Sequence, residues 1–235
     1  MNRIIKKAIV IFILINSIVF FLTAQSFTPL PTRQIIDSVF SINDGIVNMY
    51  IFQSGDNYIV IDAGKSKNNI NKEIKKLGID KNKVIALFLT HSDNDHVASI
   101  DLFKNAKVYI GKYEEDILKG KVKRVYAKQI TKEYELLDNN QIIEINGVKI
   151  QCIFTPGHTI GSVSYLINDI YLFTGDTLSI KNDTVGVFNE SYNMDTNTQK
   201  NSIRKLAQLN GVKYIFTGHH GYSDDFKKLF KNCLD

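Results

Sequence analysis

Five histidines and a handful of carboxylates carry the chemistry open to this sequence. His91-Ser92-Asp93-Asn94-Asp95-His96 puts two imidazoles and two carboxylates within six residues. Without a cation, carboxylates packed so closely repel one another, and a bound metal removes that penalty by supplying positive charge. A helix N-cap explains one acidic residue in such a run, not two. Three further segments share its character: Thr155-Pro156-Gly157-His158-Thr159, Phe173-Thr174-Gly175-Asp176-Thr177 and Phe216-Thr217-Gly218-His219-His220-Gly221. Each sets a ligand-type side chain directly behind a glycine, where the backbone can turn sharply and approach an ion. No G-x-S-x-G element suggests a serine nucleophile, and Cys152 has no placed histidine partner.

The elements that must position these groups alternate between strand-like and helix-like patterns. Asn48–Gln53 and Tyr58–Ile61 are β-rich runs around the turn Ser54-Gly55-Asp56-Asn57 and read as a hairpin. Ile70, Ile74 and Leu77 mark a helical face that stops at Gly78. Val84–Leu89 is a buried strand delivering Thr90-His91, and Val97–Phe103 fits a helix beginning directly after His96. Further strands are expected at Lys107–Ile110, Gln141–Ile145, Val148–Phe154, Val163–Ile167, Tyr171–Phe173 and Tyr214–Phe216. Asn146-Gly147 and Asn168-Asp169 are hairpin-turn candidates. Thr196–Leu209 and Asp224–Leu234 read as helices. Two groups of hairpins, each followed by helices, predict an α/β sandwich with sheets inside and helices outside. All five histidines then fall at strand ends or in the turns just after them.

In order, these motifs resemble those of the metallo-β-lactamase superfamily: H-x-H-x-D-H, a later G-H-T, a G-D and a final G-H. The resemblance runs from about Asp62 to His219 and implies the four-layer αββα sandwich of that family. It implies that His91, Asp93 and His158 hold one metal, that Asp95, His96 and His219 hold a second, and that Asp176 bridges them. Asp62-Ala63-Gly64 resembles the family's structural D-x-G turn. His220 has no counterpart and is expected to stand behind the ligands or face solvent. The departure is Asp93, which replaces the family's second histidine. A carboxylate is a harder ligand than imidazole and shifts preference from zinc towards iron or manganese; the family's flavodiiron members carry a glutamate there.

The implied cofactors are two divalent metal ions (zinc, iron or manganese), and the implied chemistry is hydrolysis by a metal-activated water. Asp95 is the candidate catalytic residue, orienting the nucleophile. The substrate is expected to be a small-molecule ester, thioester, lactone or amide. Thr155–Ser162 and Phe173–Leu178 are glyoxalase II-like, although the helical substrate domain that glyoxalase II adds is not expected after His219. A true β-lactamase, an iron-dependent redox enzyme suggested by Asp93, and a non-catalytic metal-binding protein are the alternatives. Lys181, Phe188, Asn189, Tyr192 and Tyr222 are substrate-contact candidates by position.

The bulk sequence bounds the rest. With 235 residues, 44% hydrophobic and 23% charged, one domain with a sizeable core is expected. The net charge of +5 owes three positive charges to Arg3, Lys6 and Lys7. The remainder, at about +2 and without a basic block, gives no basis for a nucleic-acid partner. Those three residues precede an apolar run from Ala8 to Ala24, so residues 1–24 read as a signal peptide or membrane anchor and 25–235 as the catalytic domain. A cut after Ala24 fits the polar Asn16-Ser17 pair, whereas Leu22 fits the small-residue rule poorly and leaves an uncleaved anchor through residues 8–24 open. Either way the body is exported, to a periplasmic or extracellular location. Cys152 and Cys233 form no metal-type spacing, and Cys152 reads as a buried thiol.

Overall fold

A computed structural model describes residues 27–231. Residues 1–26, with the expected leader, Cys233 and the end of the helix expected over Asp224–Leu234 lie outside them. Among the described residues no helix is long and apolar enough to cross a membrane.

Runs of β-branched and aromatic residues become strands. The first seven are β1 (Arg33–Ile36), β2 (Val39–Asn43), β3 (Asn48–Ser54), β4 (Asn57–Ile61), β5 (Val84–Leu89), β6 (Lys107–Gly111) and β7 (Tyr134–Leu137), side by side in that order. β1 to β4 form an antiparallel meander, and β4 to β7 pair in parallel. The rest are β8 (Ile142–Ile145), β9 (Val148–Phe154), β10 (Val163–Ile167), β11 (Tyr171–Phe173), β12 (Leu178–Lys181), β13 (Thr184–Val187), β14 (Tyr214–Phe216) and β15 (Tyr222–Ser223). A second sheet takes the order β15-β14-β11-β10-β9-β8, with β11 and β14 parallel, while β12 and β13 form a separate hairpin.

Period-two alternation assigns the core. Along β3, β4 and β5, Tyr50, Phe52, Ile59, Ile61, Ala86 and Phe88 face the second sheet, where they meet Ile150, Cys152, Tyr165, Phe173 and Phe216. Met49, Ile51, Val60, Leu87 and Leu89 face the other way, towards Ile70 and Ile74 of the helix Lys67–Lys76. The outer face of the second sheet packs Leu172 and Ile215 on Ile203 and Leu206 of the helix Thr196–Ala207. Both faces of the central strands are covered, which is why they read as nearly continuous apolar runs. The result is the four-layer αββα sandwich. Cys152 is fully buried between the sheets, and burial pushes its thiol pKa up to about 12.

The helix predicted over Val97–Phe103 is the main departure. The chain instead forms a short helix, Asn94–Val97, and a 3-10 turn, Ile100–Leu102. The His96 carbonyl accepts from the Ala63 amide at 2.6 Å, so it is committed across the fold rather than along a longer helix. Asp95 and His96 are therefore helical, not loop residues. The predicted turns Asn146-Gly147 and Asn168-Asp169 both adopt left-handed backbone, the conformation of a tight hairpin.

Two buried phenols tie the sheets together below the strand ends. Tyr165 donates to the Leu89 carbonyl at 2.8 Å, and Tyr50 donates to the Thr217 carbonyl at 2.7 Å. Leu89 and Thr217 lie just before the ligand-type segments, so these bonds set one strand end relative to another. Tyr165→Phe is expected to lower the unfolding free energy by about 1–2 kcal/mol in denaturant titration; an unchanged midpoint would remove this bond from the fold's supports.

Candidate metal centre

The ligand-type residues gather where five strands end. Asp62 follows β4, His91 lies two residues after β5, and Asp95 and His96 ride the short helix behind it. His158, Asp176 and His219 leave the ends of β9, β11 and β14. Because β11 and β14 are parallel and in register, Thr174-Gly175-Asp176 and Thr217-Gly218-His219 emerge side by side, joined by the Gly218 amide to the Gly175 carbonyl at 3.0 Å. A Cβ on Gly218 would lie 2.4 Å from Asp176 Oδ1 and 2.9 Å from the His96 ring. Glycine is required there because the backbone itself is part of the wall.

Each histidine of the centre is held by Nδ1 and turns Nε2 inwards. His96 Nδ1 donates to Asp62 Oδ2 at 2.8 Å, and His219 Nδ1 donates to the Ile46 carbonyl at 2.6 Å. Thr90 gives its hydroxyl proton to Asp62, so its oxygen accepts from His91 Nδ1 at 3.0 Å. Asn193 directs its amide nitrogen at the Phe188 carbonyl and Gln199 Oε1, leaving its oxygen to accept from His158 Nδ1 at 3.1 Å. All four Nε2 atoms therefore carry a lone pair towards one point. This is how proteins orient metal-ligating imidazoles.

Asp176 stands among them. Its carboxylate oxygens lie 3.2 Å from His219 Nε2, 3.4 Å from His96 Nε2, 3.5 Å from His158 Nε2 and 3.9 Å from His91 Nε2. Asp95 Oδ2 lies 3.4 Å from His219 Nε2. The donors fall into two triads, His91/His158/Asp176 and Asp95/His96/His219. A tetrahedral ion with ligands at about 2.0–2.1 Å spaces its donors roughly 3.3–3.4 Å apart, which the separations of Asp176 from His96 and His219 and of Asp95 from His219 match, whereas His158 and His91 lie farther from Asp176, at 3.5 and 3.9 Å. Two lone pairs, His96 Nε2 and His219 Nε2, face each other at 3.3 Å, and buried His91 Nε2 and Asp176 Oδ1 have no hydrogen-bond partner. Such a set calls for positive charge. Burial opposes protonating His96, yet Asp176, Asp62 and Asp95 outweigh it and raise its pKa well above the usual value. Burial likewise opposes ionising Asp176, yet His219 and His96 hold its pKa well below the carboxylate range.

Asp93 reaches the centre but is claimed from the other side. Its Oδ2 lies 3.2 Å from His158 Nε2 and 3.7 Å from His91 Nε2, while both oxygens accept from Arg124, Oδ1 from Nε and Oδ2 from Nη2. Arg124 was not visible in the sequence as a site residue, since its loop has no motif and lies 31 positions from Asp93. Glu114 was missed for the same reason. It is buried and accepts from the Ser92 amide, the Ser92 hydroxyl and the Thr159 hydroxyl, tying the His91 loop to the His158 loop. Burial raises its pKa against those bonds. His220 does not join the donors. It is buried rather than solvent-facing, packs on Phe27 and Phe188, and burial and His219 lower its pKa to about 4.

A cleft of about 220 Å³ opens over the donors, walled by Phe27, Tyr126, Phe188 and Tyr192, with Lys65, Asp93 and Asp95 also on its lining. Of the substrate-contact candidates, Phe188 and Tyr192 line it; Lys181, Asn189 and Tyr222 do not. Tyr222 stacks on Phe216 at the edge of the inter-sheet core. Phe27 and Tyr126 carried no sequence signal. Asp62→Asn would set an amide N–H against either His96 Nδ1–H or the Thr90 amide, and metal affinity is expected to fall about 10–100-fold with the fold retained. Calorimetric titration of metal-free protein checks this, and unaltered affinity would show that Asp62 does not orient the ligand.

Residues 42–219 match the family model of the metallo-beta-lactamase superfamily. The chain is 30% identical over 194 residues to a hydroxyacylglutathione hydrolase of Buchnera aphidicola, covering 79% of this chain and 68% of the relative. It is 35% identical over 123 residues to a probable polyketide biosynthesis zinc-dependent hydrolase of Bacillus subtilis, about half of each chain (51% and 49%). Its fold is similar to a subclass B3 metallo-beta-lactamase of Bradyrhizobium japonicum, with a TM-score of 0.65 at 18% identity over 82% of this chain and 79% of that one. Motif order, donor geometry and family match agree: this chain belongs to the metallo-β-lactamase superfamily and is a metallo-hydrolase.

Proposed function

We infer that this chain is an exported metal-dependent hydrolase that cleaves an ester, thioester, lactone or amide bond in a small molecule. The observation that carries the reading is the convergence of four Nε2 lone pairs with Asp95 and Asp176 at the floor of an apolar cleft. Asp95, His96, His219 and Asp176 would hold a divalent metal, a mixed set of two imidazoles and two carboxylates that suits zinc, iron or manganese. When bound, such an ion lowers the pKa of a water and polarises the scissile carbonyl.

The chain's own residues do the rest. Asp95 is the donor that keeps a face to the cleft, its side chain 25% exposed where His96 and Asp176 are almost fully buried. That places its carboxylate to accept a proton from the attacking water and pass it to the leaving group. Phe27 and Phe188 pack on His219, 4.6 and 5.2 Å between ring centroids. They exclude water around the reacting bond and favour an apolar acyl group. Asp93 is the residue that favours an iron redox enzyme, and its pairing with Arg124 accounts for a carboxylate there without a preference for iron.

Export rests on the charged start and apolar run of residues 1–24. For the chemistry, chelation is expected to abolish turnover of the best substrate in a panel of generic esters, thioesters, lactones and β-lactams, with zinc or manganese restoring it. Asp176→Ala is expected to lower kcat/KM by about 100-fold or more, the scale of losing a metal ligand or its support. Turnover that survives both treatments would refute the metal-dependent reading.

A further inference from the structure

The Arg124 side chain is only 4% exposed, and each of its nitrogens has a partner. Nε and Nη2 clasp Asp93, Nη1 donates to the His158 and Tyr192 carbonyls at 3.1 and 3.2 Å, and Nη2 lies 2.9 Å from His158 Nε2. Its loop is pinned to the ligand loop by the Asn94 amide on the Tyr126 carbonyl at 2.9 Å and the Lys128 amide on the Ser92 carbonyl at 2.9 Å. The guanidinium is thus a built-in part of the centre.

His158 decides what it does there. Asn193 takes the Nδ1 proton, so Nε2 presents a lone pair. That lone pair lies 3.2 Å from Asp93 and 3.5 Å from Asp176, an arrangement of like character that only a cation relieves. Arg124 Nη2 bonds both the imidazole and the carboxylate. These are two of the three residues that the family resemblance assigns to the first metal.

We propose that the Arg124 guanidinium replaces the first metal ion, so that the centre holds one divalent ion, at Asp95, His96, His219 and Asp176, in place of two. The proposal rests on the metallo-hydrolase reading and specifies its metal content. With His158 and Asp93 committed to Arg124, an ion at the first position is left with His91 and a shared Asp176. That is two protein ligands where a catalytic ion has three. It would also sit beside a fixed positive charge in a buried site, where charge repulsion is poorly screened. Asp93 then has a distinct reason to be a carboxylate. A bidentate fork holds a guanidinium, and the histidine found there in the family could not accept both N–H bonds.

The test is metal stoichiometry on the full chain, which needs no substrate. Metal-free protein is titrated with zinc, excess is removed by desalting, and bound metal is counted by elemental analysis and native mass spectrometry. One tight equivalent is expected for the wild type. Arg124→Ala, which frees His158 and Asp93, is expected to take up a second, and Arg124→Met serves if the smaller side chain fails to fold. Manganese loading gives an independent readout, an isolated-ion electron paramagnetic resonance signal in the wild type and a spin-coupled pair in the variant. Two tight equivalents in the wild type, or a single one in a folded Arg124 variant, would overturn the proposal and leave the hydrolase reading standing. No bound metal in the wild type would overturn both.

Discussion

One buried carboxylate sets the protonation pattern on which the centre depends. Asp62 ends β4 in left-handed backbone (φ +59°), a conformation in which it accepts from the Thr90 amide, the Thr90 hydroxyl and His96 Nδ1. The first bond places the end of β5. The second turns the Thr90 oxygen into an acceptor for His91, and the third fixes His96. Two of the four imidazoles therefore owe the direction of their lone pairs to one residue outside the donor set. Gly175, whose Cβ would lie 2.4 Å from Thr90 Oγ1, leaves the room this relay needs.

The remaining constraints are electrostatic. Asp93, Asp95 and Asp176 with four neutral imidazoles form an electron-rich pocket that is stable only with positive charge inside it. The fold supplies part of that charge from its own chain through Arg124, and leaves the Asp95 side open to an ion and the cleft. Glu114 plays a mechanical part from behind. Gly161 packs on its backbone so closely that a Cβ would lie 2.0 Å from the Glu114 amide nitrogen. The loops carrying His91 and His158 are held as one piece by that contact and by the three bonds Glu114 accepts.

Much of this was legible in the sequence where local pattern and global need agree. Val84–Leu89, Val148–Phe154, Val163–Ile167, Tyr171–Phe173 and Tyr214–Phe216 are strands with the expected bounds, because each is an apolar run cut off by a turn or a Thr-Gly pair. His158, Asp176 and His219 were readable because the glycine before each marks close backbone approach, and His91, Asp95 and His96 because two imidazoles and two carboxylates crowd within six residues. What was hidden depends on contacts far apart in the chain. The helix after His91 is short because the His96 carbonyl bonds Ala63, and Arg124 matters only once its loop crosses Asp93. Strands β1, β7, β12 and β13 are four residues each and partly exposed, so their apolar signal is weak, although Asn182-Asp183 between β12 and β13 is a turn with left-handed backbone at both positions.

Hydrogen bonds from the protein hold the four candidate ligand histidines through Nδ1–H and leave Nε2 to face the metal. Long-range ¹H–¹⁵N correlation spectra of histidine-labelled, zinc-loaded protein test this arrangement directly. The expected result is a protonated Nδ1 and an unprotonated Nε2 at His91, His96, His158 and His219. A protonated Nε2 with a bare Nδ1 at His96 or His219 would refute it, since the Asp62 and Ile46 bonds that define the centre would then not exist.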